Sequence, residues 1–296
     1  MAQLSTAPPA GRSTLRILAD AAEIARAAAD DLLAAATAAG PNAEEGAARP
    51  NAQAAAAARP NAETAAAPPP NAAAAPSSPP RFTLALAGGS TPRRLYELLA
   101  DAAAPYRARL PWERIHFFWG DERHVPPDHP DSNYRMAREA MLDRVPIEPA
   151  QVHRIAAELP EARQAAAAYE RELRGFFELP PRGAWPRFDY LLLGLGEDGH
   201  TASLFPGSAA LRERECLAAA PWVEAHQTFR ITLTPAVLNQ AARVVFLVSG
   251  GQKAAALAEV LAGEYRPRRF PAQVVCPAAG RLLWLVDRAA AERLKI

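Results

Sequence analysis

Cysteine is scarce in this chain of 296 residues. Its only two, Cys216 and Cys276, lie far apart with no C-x-x-C spacing. That excludes a disulfide framework and suits a reducing compartment. No apolar run approaches the ~18 residues of a membrane span, and no basic segment followed by an apolar stretch forms a leader. A soluble, cytoplasmic protein is expected. Charge of one sign is missing too. Lys and Arg number 33 against 32 Asp and Glu, a formal net charge of +1. No global field therefore attracts nucleic acid or an anionic membrane, and any anion must be held by local groups. Three catalytic signatures are also absent: G-x-S-x-G, the Walker A loop and H-E-x-x-H. Neither cysteine sits among glycines or histidines, so covalent acyl-enzyme chemistry is not expected.

Half of the residues are hydrophobic, ample for a core. One segment stands apart. Residues 40–80 are almost all Ala, Pro, Asn and small polar groups, with Pro-Asn-Ala recurring at 41, 50, 60 and 70. So few large side chains cannot offset the entropy of ordering. The expected organisation is a flexible N-terminus at 1–12, an α/β domain built from 13–39 and 81–296, and a disordered low-complexity insertion at 40–80.

Before the insertion, LRILADAAEIARAAADDLLAAATAAG has apolar residues at helical spacing and a Gly-Pro stop. After it, strand and helix patterns alternate. Strands are expected at 82–87, 114–119, 152–155, 188–195, 229–234, 243–249 and 281–286. Helices are expected from about 92 and over 133–144, 160–178, 235–241, 252–262 and 288–294. Continuous apolar strands in β-α alternation imply a parallel sheet covered on both sides. The fold class is therefore α/β: a single doubly wound, mostly parallel sheet with helices on both faces, Rossmann-like in type.

Ligands of such sheets bind beyond the carboxyl ends of the strands, and four polar clusters fall there. In Ala87-Gly-Gly-Ser-Thr-Pro92, glycines free the backbone amides, Ser90 or Thr91 can cap the helix, and Pro92 suits its first turn. Free amides at a helix start bind anions. In Val248-Ser-Gly-Gly-Gln-Lys253, a lysine lies in a first helical turn, where the macrodipole disfavours a cation. An anion shared by those amides and Lys253 would remove the conflict. In Trp119-Gly-Asp-Glu-Arg-His124, three charges together can grip a polyhydroxylated ligand, and Arg123 can hold phosphate or carboxylate in bidentate fashion. Asp121, His124, Asp128, His129 and Asp131 are close in sequence, but the proline-rich loop lacks metal-ligand spacing, so no metal is expected.

The fourth cluster is Leu191-Leu-Leu-Gly-Leu-Gly-Glu-Asp-Gly-His200. Gly194, Gly196 and Gly199 spell the dinucleotide fingerprint G-x-G-x-x-G. A fingerprint loop must open a long helix, and Pro206-Gly207 stop one within two turns. Glu197 and Asp198 would also repel a diphosphate. The loop is read instead as a display of His200, since imidazole is the natural base near neutral pH.

GGSTP (88–92), GDERHVPPDHPDSNYRMA (120–137), LLGLGEDGHTASLFPGS (192–208), RITLTP (230–235) and SGGQKA (249–254) together resemble the 6-phosphogluconolactonase family. The likeness runs in order over 13–39 and 81–296. It implies hydrolysis of 6-phospho-D-glucono-1,5-lactone to 6-phosphogluconate in the oxidative pentose phosphate pathway, with no metal and no organic cofactor. Carried onto this chain, Gly88, Gly89, Ser90 and Thr91 would line the phosphate and sugar side. Arg123 and Lys253 would hold anionic groups, with Arg230 a further anion ligand. His200 would be the general base, with Asp198 available to orient it. Asp121 could bind a hydroxyl or shape its loop. The partner is a phosphorylated sugar lactone, with no nucleic acid or membrane. A monomer is expected, with an oligomer left open.

Two other readings compete. Glucosamine-6-phosphate deaminases resemble the chain in fold, glycine loop and Asp-Gly-His motif. Their pattern carries a glutamate shortly after the histidine, where this chain has Ser203-Leu204-Phe205, and an aromatic residue where it has Arg123. A sugar-phosphate sensor domain would need a DNA-reading partner, and residues 1–40 offer no helix-turn-helix.

Overall fold

The computed structural model describes residues 13–38 and 81–295. The expected flexible N-terminus and the expected insertion at 40–80 lie outside the described residues. The chain runs β1 (Ser13–Leu18), α1 (Ala21–Ala38), β2 (Phe82–Leu86), α2 (Ser90–Ala100), α3 (Tyr106–Arg109), β3 (Ile115–Trp119) and β4 (Asp121–Arg123). It continues through α4 (Asn133–Ala140), α5 (Ala162–Phe176), β5 (Tyr190–Leu193), β6 (Ala218–Ala219), β7 (Trp222–Val223) and β8 (Thr228–Leu233). The last elements are α6 (Pro235–Leu238), β9 (Arg243–Val248), α7 (Ala254–Ala262) and β10 (Arg281–Asp287).

Six strands form a parallel sheet in the order β1-β10-β9-β5-β2-β3. Every residue of β2 and β5 is buried, which is why both are apolar but for Thr83, whose hydroxyl donates to Asp189. Register places Leu84, Phe117 and Tyr190 on one face, where the Tyr190 hydroxyl donates to Asp31 of α1 at 2.9 Å. Phe118 points to the other face and meets Phe176 of α5 edge-on, with ring centroids 5.0 Å apart. Helices therefore cover both faces. From β2 the chain passes to β3 on one side, and later supplies β5 on the other. Connections leave these neighbouring tips in opposite directions and open a crevice between them.

Several expectations need correction. The stretch Ser13–Leu18 is a strand rather than the start of a helix; it pairs with β10 at the sheet edge, with Leu15 and Ile17 exposed. Asp20 Oδ1 then accepts from the amides of Ala22 and Glu23 and starts α1. Residues 152–155 make only a single bridge, Val152 to Phe117. The 229–234 segment belongs to a second, antiparallel sheet of β4, β8 and β6, with β7 also on β8. Residues 288–294 form turns, because the Asp287 carboxylate accepts from Ala290 N while also holding Ser249 Oγ and Gly250 N.

A polar chain runs through the aromatic cluster beside Phe118. His116 Nδ1 lies 3.0 Å from His153 Nε2, and His153 Nδ1 lies 2.7 Å from Glu172. Burial, then the charges of His153 and Arg81, push the His116 imidazole down to about 4 from 6.5. Between those values the unfolded chain binds a proton that the folded chain refuses, so stability falls as pH drops through that window. Thermal melts from pH 7 to pH 4 should show Tm declining, and His116→Gln should lessen the decline. An equal decline in the variant would exclude His116 as its source.

Candidate active site

A cavity of about 270 Å³ opens at the carboxyl ends of β2, β3 and β5. Its wall joins the Gly88-Gly89 turn, the start of β4, the β5 loop with His200, and Lys253 before α7. Two buried tyrosines square off the strand tips. The Tyr96 hydroxyl accepts from Ala87 N at 2.9 Å and donates to Ala87 O at 2.8 Å. Tyr169 does the same to Trp119, at 3.0 and 2.9 Å. Burial raises both phenols, so they remain neutral donors. Tyr96 satisfies the peptide groups of the residue just past β2, and Tyr169 those of the last residue of β3, at the edge of the crevice.

The glycines of the β5 loop serve the histidine. A Cβ at Gly196 would stand 2.0 Å from His200 Nδ1 and 2.6 Å from Asp198 Oδ1. Only glycine leaves room for that pair. No helix follows β5; the loop runs to a short 3-10 turn at Ala209–Arg212, so the G-x-G-x-x-G pattern opens no pyrophosphate-binding helix. Asp198 Oδ1 lies 2.5 Å from His200 Nδ1 and also accepts the His200 amide at 3.0 Å. Burial works to raise Asp198, but its hydrogen bonds and the charge of His200 outweigh it and hold the carboxyl below its usual value. An ionised carboxylate can only accept, which puts the imidazole proton on Nδ1 and leaves Nε2 as the basic nitrogen. Phe205 stacks on the ring at 4.2 Å and fixes its plane.

Cations surround the same space. Lys253 lines the cavity, and its Nζ lies 3.8 Å from Glu197, too far for more than a loose pair. Arg123 lines it too and donates to the Asp131 carbonyl at 2.7 Å. Arg230 faces Arg123 directly across the β4–β8 ladder. Burial, then the neighbouring Arg123 charge, lowers the Arg230 guanidinium. Like charges placed opposite each other are unfavourable, and a shared anion relieves them. The second glycine turn does not act as expected: the Gly250 amide donates to Asp287, so Lys253 is that segment's contribution to the cavity.

Asp121, 8% exposed, accepts from Ser203 Oγ at 2.6 Å, and its backbone carbonyl accepts from Asn133 Nδ2 at 2.9 Å. Glu122 points away from the cavity into a ring of backbone donors, so it does not grip a ligand with its neighbours. His124 Nε2 meets the Leu159 carbonyl at 2.8 Å, and His129 Nδ1 accepts from the Asp131 amide at 3.1 Å. Both serve the loop.

Gly88, Gly89, Asp121, Arg123, His200 and Lys253 thus share one cavity. Ser90 and Thr91 form the first turn of α2, beside the cavity rather than on its wall, and neither side chain caps the helix; Gly89 is the cap residue. Asp198 stands behind His200, and Arg230 behind Arg123. Asn133 was missed. A Cβ at Gly88 would lie 1.9 Å from its Oδ1, so Gly88 is small to admit Asn133, and the two residues build one wall. Its signal was the Asp-Ser-Asn sequence after the Pro-rich loop, read only as a helix start.

A doubly wound sheet with an oriented histidine and loosely held cations at its switch point fits an α/β enzyme for an anionic small molecule. The comparisons narrow this. A profile described as glucosamine-6-phosphate isomerases/6-phosphogluconolactonase matches residues 52–284. The chain is 47% identical over 213 residues to the 6-phosphogluconolactonase of Synechocystis sp., covering 72% of this chain and 85% of that protein. It is 40% identical over 218 residues to the human 6-phosphogluconolactonase, covering 73% and 82%. The solved 6-phosphogluconolactonase of Trypanosoma brucei superposes with a TM-score of 0.70 at 28% identity, over 98% of this chain and 100% of that one. A monomeric glucosamine-6-phosphate deaminase, at 17% identity and a TM-score of 0.67, shares the fold. This chain belongs to the glucosamine-6-phosphate isomerase/6-phosphogluconolactonase family.

The packing at Gly196 makes a test. Gly196→Ala should push the imidazole off Asp198 and Phe205. Histidine NMR spectra should then lose the ring-current shift of the His200 protons. An unshifted ring would show that the loop accommodates a methyl group there.

Proposed function

We propose that this protein hydrolyses 6-phospho-D-glucono-1,5-lactone to 6-phosphogluconate, with His200 as general base. One observation carries the reading: the oriented imidazole shares a cavity with Gly88-Gly89, Arg123 and Lys253. Arg123, backed by Arg230, and Lys253 hold the charged end of the substrate, while the glycine turn lets the sugar approach the backbone. Asp121 and Asn133 accept or donate at ring hydroxyls.

His200 Nε2 takes a proton from water as the water oxygen attacks the lactone carbonyl. The oxyanion is met by backbone amides of the Gly88-Gly89 turn or by a cavity cation. Collapse breaks the bond from the carbonyl carbon to the ring oxygen. The imidazolium returns its proton to that oxygen, freeing the sugar hydroxyl and the carboxylic acid, which then ionises. Asp198 keeps the tautomer and offsets the transient positive charge. No step calls on a cofactor. Positions that isomerisation would give to a carboxylate are otherwise engaged: Ser203 is buried on Asp121, and Phe205 stacks on His200. The proposal includes a monomer acting in the cytoplasm without nucleic acid. Among the described residues no helix is long and apolar enough to cross a membrane.

NMR time courses on freshly generated lactone test the reaction, and ammonia release from glucosamine-6-phosphate tests its rival. His200→Ala should lower kcat by ~10²-fold or more and leave 6-phosphogluconate binding largely intact by calorimetry; unchanged turnover would reject the base. Arg123→Ala and Lys253→Ala should chiefly raise KM and weaken 6-phosphogluconate binding. Wild-type affinity in both would remove the anion pocket.

A further inference from the structure

Glu122 lies between Asp121 and Arg123, which both line the cavity, yet its own carboxylate is only 2% exposed and faces inward. Its Oε1 accepts from the amides of Arg123 at 2.8 Å and Asn133 at 2.7 Å. Its Oε2 accepts from the Tyr134 amide at 2.7 Å and the Ser132 hydroxyl at 3.1 Å. Four donors from two elements thus converge on one side chain. Arg123 ends β4, while Asn133 and Tyr134 open α4, whose cap is Ser132. Between them runs the proline-rich loop His124–Asp131, whose hydrogen bonds beyond His124 are all local.

Among the described residues no cation pairs with this carboxylate by contact; the Arg123 guanidinium points instead to Asp131. Burying a charge satisfied only by neutral donors is an expensive way to obtain stability, and a packed apolar residue often serves as well. What the charge does uniquely is fix direction. Seated on one carboxylate, the backbones of Arg123 and Asn133 hold a set separation. Asn133 Nδ2 then reaches the Asp121 carbonyl, and its Oδ1 reaches the space left by Gly88. Asp121, Arg123 and Asn133 become a single rigid wall facing the substrate.

We propose that Glu122 is a positioning residue for the reaction above: it acts through Arg123 and Asn133 to set the binding wall of the cavity. The role rests on the proposed lactone hydrolysis. It separates the wall from the His200 loop, which hangs from β5 and is ordered by Gly196, Asp198 and Phe205 without Glu122. The wall and the loop touch at Ser203, whose hydroxyl donates to Asp121, but the bonds of Glu122 all lie on the β4–α4 side.

Glu122→Gln keeps the shape but turns one acceptor into an amide that faces two donors. In the full chain it should raise KM for the lactone and weaken 6-phosphogluconate binding by about 10-fold, the cost of a strong buried hydrogen bond. It should change kcat by less than about threefold and leave the pH profile of kcat as in wild type, the pattern of lost uniform binding. Hydrogen exchange should quicken at 121–137 and not at 194–205. Ser132→Ala, which removes one donor, should move KM the same way by a smaller factor. A merely structural role predicts a lower Tm with wild-type KM in the folded fraction, and that result overturns the proposal. A shifted pH profile does so too, because Glu122 would then act on His200. Should Glu122→Gln fail to fold, an unchanged KM in Ser132→Ala decides against it. Should the wild type show no lactone turnover, the proposed function falls by itself. Unchanged exchange at 121–137 in either variant would then refute the positioning role independently of any substrate.

Discussion

The site depends on a missing side chain. At residue 196 the backbone passes so close to the imidazole and its carboxylate that a single methyl group would overlap both. Because that space is free, Asp198 and His200, only two residues apart, can face each other within one turn of irregular chain. The carboxylate fixes the tautomer, and Phe205 fixes the ring plane. The ring is thus held in a set direction by contacts within its own loop. The same economy holds across the cavity, where Gly88 is bare so that Asn133 can close on it.

Around the His200 ring the chain concentrates charge that it otherwise balances. A net charge of +1 over 296 residues attracts nothing at long range. At the edge of the crevice, strand register sets Arg230 opposite Arg123, which lines the cavity, and Lys253 is anchored only loosely to Glu197. Backbone pairing thus holds two guanidiniums in mild repulsion. Under the proposed function a phosphorylated ligand would relieve it. The buried tyrosines contribute by satisfying Ala87, just past β2, and Trp119, the end of β3, which lets those strands stop abruptly.

The second sheet shows how the fold supplies parts that the parallel sheet lacks. β4 leaves the tip of β3 after one glycine and pairs antiparallel with β8. That turn carries Asp121 and Arg123 over the cavity instead of away from it. Its far end is secured through Glu122 to α4. Ser203 and Thr232, both buried, join the His200 loop to the same sheet through Asp121 and the Ser203 amide. The His200 loop and the Asp121 wall thus meet at a hydrogen-bonded seam.

Much of this was legible in the sequence. The parallel sheet showed in the largely apolar runs of β2, β5 and β9, and the polar clusters fell at strand ends because such sheets leave their ligands nowhere else. His200, Gly88, Gly89, Asp121, Arg123 and Lys253 were marked by local chemistry alone. The edge strand Ser13–Leu18 was misread because Leu15, Ile17 and Leu18 fit a helical as well as an alternating pattern. The Gly250 turn looked like an anion site because nothing local reveals that its amide is claimed by Asp287, some 37 residues on. Sequence by itself determined which side chains could do chemistry and that they would lie at the strand tips, since residue type and period are local properties. Tertiary structure alone decided that Arg230 stands opposite Arg123, that Glu122 turns inward, and that Asn133 completes the wall, because cross-strand register and close backbone approach arise only when distant segments pack.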